Sequence, residues 1–348
     1  GHEMNTGKKK QNVTIKDLAI ASGVSIATVS RVLNNIQGCY SAETEARIRQ
    51  VAEEMGYAPN VMARSLVTRK TGLVAVLIPD IHYYFFQEFY FGLEEYFNRN
   101  GIHPILCTTL QSQEKEREYI QSMSNGLVDG MIISTLNSAE SNEEILKLKE
   151  KKFPVVLLER YGQDIDSLYN IRLDNRLAAE MTVDYLVQMG HRRIAYIGGP
   201  REAYNSSRRY EGYLSGLQKN GIPFDARLVA YGNYQFEKSV SETRRLAGTE
   251  VFSALIAAND LMCVGACKAL VKMGKKIPQD ISVVGLDNTA YLELYQPAIT
   301  SVSFHALEMG KCAAECLKKQ IDGERQEKKV HAFIPTMKIG KSVRRLDG

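Results

Sequence analysis

The sequence predicts an all-α helix-turn-helix headpiece followed by an α/β body of two lobes, each built on a parallel sheet. Helical patterns with polar caps occupy residues 13–58. From residue 71 onward, short apolar runs alternate with helical stretches, as in repeated β-α-β units. More strands are predicted than one sheet needs. We therefore expect two similar lobes with a ligand cleft at the carboxyl ends of their strands.

Length and composition are those of a globular protein with two or three domains. The chain has 348 residues, of which 44% are hydrophobic and 24% charged. It has no apolar run of about 18 residues, so neither a membrane span nor a membrane partner is predicted. Residues 1–12 lack the pattern of an export signal. They are predicted to be a disordered tail that includes a cloning remnant, and a cytoplasmic location is expected.

The net charge of +4 lies entirely in the first fifth of the chain. Residues 1–70 carry ten Lys and Arg residues against six Asp and Glu residues, whereas the remainder carries 34 of each. A basic module joined to a neutral body predicts that the module alone meets a polyanion.

Six cysteines are spread along the chain, and two pairs have i, i+4 spacing. On a helix this spacing places both sulfurs on one face. No His or carboxylate nearby completes a usual ligand set. We therefore predict reduced, buried thiols, with no metal site and no cofactor. The cysteines are Cys39, Cys107, Cys263, Cys267, Cys312 and Cys316.

Three helices are predicted in the headpiece. Thr14 and Asp17 form a start that resembles a capping box, and Gly23 ends that helix. Ser25 caps a second helix and Ser41 a third. Two short helices joined by a glycine-containing turn, with a third that braces them, match the helix-turn-helix plan.

The outward side of the second helix, from Ile26 to Asn34, favours a role in DNA binding. Its side chains are short or can donate hydrogen bonds, so they can lie against base edges and phosphates in a major groove. The alternative is an ordinary three-helix bundle with no such role. The outward residues are Ile26, Ala27, Thr28, Ser30 and Arg31.

The headpiece resembles the LacI/GalR family of bacterial repressors. The resemblance rests on VTIKDLAIASGVSIATVSRVLNN (13–35), residues 41–49 and MGYAPNVMARSL (55–66). It implies that the second helix reads operator DNA. It also implies that residues 59–70 form a hinge helix and linker, in which Leu66 enters the minor groove and kinks the duplex. Alternatively, Leu66 packs on the body. The predicted DNA-binding residues are Thr14, Ser25, Ile26, Ala27, Thr28, Ser30, Arg31, Asn34, Asn60, Ala63, Arg64 and Leu66.

The resemblance continues through the body, for example in AANDLMCVGACKAL and IPQDISVVGLDN. It implies an effector-binding and dimerisation domain, residues 71–348, similar to periplasmic sugar-binding proteins. The chain should cross between the lobes three times. We expect an N-lobe of about residues 71–171 and 303–333, and a C-lobe of about residues 172–302 and 334–346.

Strand ends and the family resemblance together predict the effector site. Asp287 ends a strand and matches an acid that binds sugar hydroxyls in the family, and the resemblance alone assigns Arg209 and Tyr234. Two roles stay open, since Arg160 can pair structurally with Glu159 or Asp174 and Asn259 can cap the next helix. The predicted effector-binding residues are Tyr83, Phe85, Glu159, Arg160, Arg209, Tyr234, Asn259 and Asp287.

The predicted function is that of a dimeric, DNA-binding transcriptional regulator, controlled by a small ligand. Carboxylates, an arginine and aromatic rings suit a sugar or sugar derivative. The partners are double-stranded palindromic operator DNA, the effector and a second copy of the chain. The family resemblance implies that the aromatic helix 86–98 lies partly in the dimer contact, and the alternative is that this helix only packs in the core. The alternatives are a ligand receptor without a transcriptional role, a regulator controlled by a phosphocarrier protein, and an enzyme. No nucleophile–base motif supports an enzyme.

Overall fold

Two compact units make up the chain, one ending at Thr71 and the other beginning at Gly72. All structural statements below refer to the residues that the computed structural model describes. These are residues 13–34, 36, 38–57, 70–134, 142–327 and 329–346.

The first unit, the headpiece, contains helices α1 (Ile15–Ser22), α2 (Ile26–Leu33) and α3 (Ala42–Glu54). Its first helix begins with the predicted capping box. The Asp17 N–H donates to the Thr14 hydroxyl at 3.4 Å, and the Thr14 N–H donates to the Asp17 carboxylate at 2.8 Å. Each bond satisfies a backbone donor that a helix start leaves without a partner.

The turn between α1 and α2 also follows the sequence prediction. Gly23 ends α1 with a φ of 66°, in the left-handed region that glycine adopts without a steric penalty. Ser25 then accepts a hydrogen bond from the Thr28 N–H at 3.1 Å, and Ser41 accepts one from the Thr44 N–H at 3.2 Å. These caps confirm the predicted starts of α2 and α3.

A small apolar core holds the three helices together. Leu18, Val29, Val32 and Ile48 are fully buried. Burying each such side chain contributes about 1.5–3 kcal/mol. Because Val29 and Val32 supply the inward side of α2, the opposite side of that helix is left for other contacts.

The second unit, the body, alternates strands with helices. Its strands are β1 Leu73–Ile78, β2 His103–Thr108, β3 Gly130–Ile133, β4 Val155–Leu158, β5 Tyr169–Leu173, β6 Ile194–Gly198, β7 Val229–Tyr231, β8 Ala254–Ala257, β9 Ser282–Asp287, β10 Thr300–Ser303, β11 Val330–Phe333 and β12 Thr336–Lys338. Its helices are α4 Tyr84–Arg99, α5 Gln113–Ser124, α6 Glu143–Glu150, α7 Asn175–Gln188, α8 Tyr204–Lys219, α9 Phe236–Thr249, α10 Asp260–Lys272, α11 Tyr291–Leu294 and α12 Ala306–Ile321.

Two six-stranded sheets form the two lobes. The first has the order β2-β1-β3-β4-β5-β11 with parallel pairs. The second has the order β7-β6-β8-β9-β10-β12 and is parallel except for the β10–β12 pair. This arrangement confirms the predicted two-lobed α/β fold.

The chain passes between the lobes after β5, after β10 and after β11. Only two residues separate β11 from β12. Since β11 ends at the carboxyl edge of its sheet, the chain enters the second lobe at the cleft and β12 runs away from it. That entry explains the antiparallel pairing of β12, which the sequence prediction of wholly parallel sheets did not include.

Both faces of the first sheet are covered, which is why its strands read as unbroken apolar runs. Along β1, Val74 and Val76 pack with side chains of α4 and α12. Ala75 and Leu77, which point the other way, pack with side chains of α5 and α6. Among the described residues, no helix is both long enough and apolar enough to cross a bilayer.

Helices α4 and α12 lie unusually close together. A Cβ atom added to Gly92 would lie 2.0 Å from the Leu307 carbonyl oxygen, and one added to Gly310 would lie 2.0 Å from the Phe89 carbonyl oxygen. Phe89 on α4 is buried, whereas Phe91 is 59% exposed. The aromatic residues of this helix therefore serve the core of their own lobe and also present an apolar surface.

Candidate nucleic-acid interface and ligand cleft

The side of α2 that faces away from the core is accessible. Ile26 is 45% exposed, and Ala27 and Arg31 are also exposed. Thr28 and Ser30 are half-buried. This surface combines apolar groups that can meet a thymine methyl with one cation that can meet guanine or phosphate.

Side chains close in the sequence form hydrogen bonds at both ends of α2. The Ser25 and Thr28 hydroxyl oxygens lie 2.9 Å apart. At the other end, the Asn34 side-chain amide donates to the Ser30 carbonyl oxygen at 2.8 Å. Asn34 is the C-cap of α2, which ends at Leu33, one residue before the predicted end. Thr14 is exposed at the start of α1. The predicted hinge contacts Asn60, Ala63, Arg64 and Leu66 lie outside the described residues.

A cavity of about 920 Å³, including its open mouth, lies between the carboxyl ends of the two sheets. Small-molecule sites are typically concave clefts of this kind. Seven of the eight predicted effector residues line it: Tyr83, Phe85, Glu159, Arg209, Tyr234, Asn259 and Asp287.

Arg209 is held by α8 at the second-lobe wall of the cavity, where it is 5% exposed. Its guanidinium donates to the Asn175 side chain at 2.8 Å and to the Asp287 carboxylate at 3.1 Å. It also donates to the Ala258 carbonyl oxygen. Phe304 lies against the guanidinium, with its ring centroid 4.9 Å from Cζ. These contacts fix the position of the charge before any ligand arrives.

Asp287 ends β9 with a φ of 121°, a strained conformation for an aspartate. Burial raises the pKa of its carboxyl to about 6, although Arg209 acts to lower it. Behind it, Asp260 is almost fully buried and accepts hydrogen bonds from the Thr289 and Ser301 hydroxyls. The carboxyl edge of the second sheet therefore holds two carboxyl groups near one arginine.

Glu159 supplies the acid on the first-lobe wall. It accepts hydrogen bonds from the Leu173 N–H at 2.5 Å, the Asn175 amide at 2.6 Å and the Tyr161 hydroxyl at 2.8 Å. Burial raises the pKa of this carboxyl to about 7, because the hydrogen bonds and the charge of Arg209 compensate only in part. Glu159 can therefore gain or lose a proton near neutral pH.

Aromatic rings cover the remaining walls. Tyr83 and Tyr234 meet edge to face with centroids 6.2 Å apart, and the Gln111 amide donates to the Tyr83 hydroxyl at 3.0 Å. Tyr234 has a φ of 60°. A Cβ atom on Gly199 would lie 2.3 Å from its ring, so only glycine fits beside it. Rings at fixed positions next to fixed polar groups suit a ligand with both apolar faces and polar edges.

The curated ribose operon repressor of Halalkalibacterium halodurans is 33% identical to this chain over 310 residues, covering 89% of this chain and 90% of that protein. The chain belongs to the LacI family. The family description "Bacterial regulatory proteins, lacI family" matches residues 14–60, and "Periplasmic binding protein-like domain" matches residues 183–343. These matches confirm the predicted family. As a member, the chain is a DNA-binding transcriptional regulator.

Solved structures agree with this membership. A complex of the transcriptional regulator CelR with cellobiose is 27% identical, with a TM-score of 0.71 and coverage of 95% of this chain and 100% of that chain. A Lac repressor dimer bound to operator and the anti-inducer ONPF has a TM-score of 0.85 and coverage of 96% and 100%. At 23% identity, the latter shows the fold alone. The relatives are transcription regulators rather than enzymes.

Arg160, the eighth predicted effector residue of this LacI family protein, does not line the cavity. It is fully buried and forms an ion pair with Glu116 of α5, at 2.9 Å and 3.1 Å. Its Nε atom donates to the Asn142 side chain at 2.9 Å. The prediction of a ligand contact is therefore wrong for Arg160. The alternative of a structural ion pair describes its role, but with a different partner from the two acids considered, Glu159 and Asp174.

Asn259 takes the capping role that the sequence left open, and its contact with a ligand stays a prediction. Its side chain accepts a hydrogen bond from the Met262 N–H at 2.8 Å and so caps α10, while the residue also lines the cavity. The sequence reasoning missed several polar lining residues. Gln111 and Ser134 follow β2 and β3, so the strand-end rule could have found them, whereas Tyr204 and Asn205 begin α8 and carry no such signal.

The expectation that no His or carboxylate completes a ligand set near the cysteine pairs is wrong for one pair, Cys312 and Cys316. His331 of β11 brings its Nε2 atom to 3.5 Å from the Sγ atom of Cys316 on α12. Local spacing could not show this, because the strand and the helix meet only in the folded lobe.

Proposed function

We propose that this LacI family regulator is a dimeric repressor whose affinity for a palindromic operator changes when a carbohydrate binds between the lobes. The observation that carries the proposal is the convergence of Glu159, Arg209 and Asp287 with the Tyr83 and Tyr234 rings on one cavity. Because operator DNA lies inside the bacterial cell, the proposal also gives the protein a cytoplasmic location.

The polar groups suit adjacent hydroxyls. A carboxylate or an amide can engage two neighbouring hydroxyl groups, and a guanidinium can donate to both. Asp287 and Arg209 are already joined at 3.1 Å, so a ligand meets them as one unit. Glu159 faces this unit from the other lobe. A ligand that contacts both walls therefore favours the closed arrangement of the lobes.

The aromatic rings of the cavity suit the apolar C–H face of a sugar. Tyr83 and Phe85 come from the first lobe and Tyr234 from the second. An aromatic face against the C–H groups of a pyranose or furanose ring excludes water without a demand for hydrogen bonds. The solved CelR relative binds cellobiose, and the ribose operon repressor is named for a sugar operon.

The DNA side of the proposal uses the exposed surface of α2. Two headpieces in a dimer would each offer this surface, from Ser25 to Asn34, to one half-site of the operator. Arg31 carries the charge, and Ile26 and Ala27 supply apolar contacts. By resemblance, Leu66 would enter the minor groove between the half-sites.

One experiment on the full-length protein tests both the palindromic operator and the carbohydrate effector. Duplexes selected from a random pool should converge on a palindrome, and fluorescence anisotropy then measures affinity with and without each of a panel of sugars. A sugar of the proposed class should change operator affinity by about 5–150-fold. If only non-carbohydrate metabolites alter affinity, or if the selected sites lack two-fold symmetry, the corresponding half of the proposal fails.

A further inference from the structure

The first lobe holds a cluster of metal-ligating side chains away from the cleft. Cys312 and Cys316 lie one turn apart on α12, and His331 is the second residue of β11. The ligand atoms of these three residues all lie within 4.8 Å of one another. Among the residues that the structure describes, no other group of three His, Cys, Asp or Glu side chains meets this criterion.

The fold explains why the three side chains meet. Alternate residues of a strand share a face, so His331 points to the same side as Phe333. Phe333 packs against the apolar core cluster that contains Cys316, and Cys312 packs against the same cluster. The face of β11 that carries the imidazole is therefore the face that α12 covers. Both elements are held firmly, since α12 packs closely on α4 and β11 pairs with β5.

The distance between Cys316 and His331 matches that in a tetrahedral metal centre, and the two distances to Cys312 are no longer than 4.8 Å. Zn–S bonds of about 2.3 Å and Zn–N bonds of about 2.0–2.1 Å imply N···S separations of about 3.6 Å and S···S separations of about 3.8 Å. The Sγ atom of Cys316 and the Nε2 atom of His331 are 3.5 Å apart. Cys316 is buried, whereas Cys312 and His331 are half-buried. An ion can reach the cluster from the solvent side and then lie partly shielded by the lobe.

We propose that Cys312, Cys316 and His331 form a binding site for a thiophilic d¹⁰ cation, with Zn²⁺ as the expected occupant and Cu⁺ as the other ion of this chemistry. Two thiolates and one imidazole are soft ligands that Zn²⁺ and Cu⁺ prefer to the carboxylate and carbonyl ligands of Mg²⁺ and Ca²⁺. On binding, each coordinating thiol passes its proton to the buffer and its sulfur forms the metal bond.

The bound ion would fasten β11 to α12. β11 is an edge strand with one neighbour, β5, and it leads directly to the last passage between the lobes. A metal bond across this edge adds a second attachment, and binding to the folded state alone raises its stability. The site therefore gives the first lobe a metal-dependent stability that is independent of any ligand in the cleft.

The test uses full-length protein, reduced and stripped with a chelator. Zn²⁺ affinity is measured by competition with a chromogenic chelator, and Co²⁺ is added as a spectroscopic probe of thiolate coordination. We expect one Zn²⁺ per chain, a thiolate-to-Co²⁺ charge-transfer band and a higher melting temperature with metal. The same competition with a Cu⁺ chelator identifies which ion binds more tightly. Binding of either ion with the variant pattern below supports the site.

Three variants remove one ligand each: Cys312→Ala, Cys316→Ala and His331→Gln. Changes to groups that only orient metal ligands cost about 10–100-fold in affinity, so loss of a ligand should cost at least about 100-fold. Cys263→Ala is the matched control, because Cys263 and Cys267 share the i, i+4 spacing on α10 but belong to no such group with a histidine among the described residues.

His331→Gln separates metal loss from misfolding, since His331 is only half-buried and the metal-free variant should melt close to the metal-free parent. Two results would overturn the proposal. One is a reduced parent protein that binds neither ion. The other is metal affinity that stays the same in His331→Gln or falls equally in Cys263→Ala.

Discussion

Tyr84 and Tyr291 stack on each other, with ring centroids 3.7 Å apart and ring planes inclined by 29°. Tyr84 begins α4 in the first lobe and Tyr291 begins α11 in the second. A second pair, Tyr161 and Tyr204, joins the lobes with centroids 4.2 Å apart. These rings favour closure of the lobes even before a ligand contributes.

Tyr291→Ala should therefore weaken effector binding, although neither Tyr84 nor Tyr291 lines the cavity. Aromatic pairs contribute about 0.5–1.5 kcal/mol beyond the area they bury, which corresponds to about a 2–10-fold loss of apparent affinity if closure limits binding. Titration calorimetry with the best sugar measures the change. Tyr291→Phe keeps the ring and serves as the control. Equal affinities in all three proteins would show that the stack does not influence closure.

The raised pKa of Glu159 predicts that stability falls as pH rises. The folded-state pKa is about 7 against an ordinary value of 4.5, so the folded protein binds more protons in this window. The contribution of the protonated carboxyl is complete below about pH 4.5 and is lost as pH approaches 7. Asp287, with a pKa of about 6, acts in the same direction.

Urea unfolding between pH 5 and 8 measures this slope. Glu159→Gln should flatten it by on the order of 2 kcal/mol over the range. Glu150→Gln, at an exposed position on α6, removes one carboxylate elsewhere and should leave the slope as it is. A parent protein whose stability rises through this range would contradict the assignment.

Asp287→Asn should shift the effector response to higher sugar concentrations and leave operator binding intact. The substitution keeps the shape of the side chain but removes the charge that pairs with Arg209. We expect a loss of sugar affinity of about 10–100-fold, since a hydrogen bond to a charged group contributes about 1.5–3 kcal/mol. Asp280→Asn, at an exposed position in the same lobe, is the control. A normal response in Asp287→Asn would exclude this carboxylate from the effector site.

Gly310→Ala should destabilise the body, because the added Cβ would lie 2.0 Å from the Phe89 carbonyl oxygen. Such overpacking costs about 1–3 kcal/mol and lowers the melting temperature. Gly248, on α9, has no atom within 4 Å of an added Cβ. Gly248→Ala should instead be neutral or stabilise by up to about 1 kcal/mol. The same melting temperature for both variants would mean that α4 and α12 can move apart freely.

Arg31→Ala should weaken operator binding. If Arg31 contacts a base, the binding free energy falls by about 1–3 kcal/mol and sequence specificity relaxes at one operator position. If Arg31 contacts a phosphate, affinity falls for all sequences and the slope of log affinity against log salt concentration decreases by about one. Anisotropy titrations on wild-type and singly substituted operators, at several salt concentrations, separate the two. Arg49→Ala is the control, since Arg49 on α3 is paired with Glu45 at 2.8 Å. Unchanged affinity in Arg31→Ala would remove Arg31 from the interface.

Sequence rules that depend only on neighbouring residues were enough to predict where the headpiece helices begin. Thr14, Ser25 and Ser41 cap the helices that the sequence predicts, because a cap depends on residues within one turn of it. The strand-end rule was nearly as informative for the cleft. Glu159, Asn259 and Asp287 each follow an apolar run, and parallel strands bring such positions to one edge.

The failures share a different cause. Arg160 follows a strand just as Glu159 does, but Glu116 and Asn142, which are distant in the sequence, bind its guanidinium. His331 approaches Cys316 only because α12 covers β11. Both contacts depend on how segments that are distant in the sequence pack against one another, and local residue patterns do not specify that packing.

The three passages between the lobes also constrain biosynthesis. Asn170 of β5 pairs with Val330 of β11, and Val302 of β10 pairs with Met337 of β12. A ribosome must therefore release β11 and β12, at residues 330–338, before either lobe can acquire its last strand. Both lobes therefore gain their last strand late in synthesis and at nearly the same time. A nascent chain that stalls near residue 325 would leave one unpaired sheet edge exposed in each lobe.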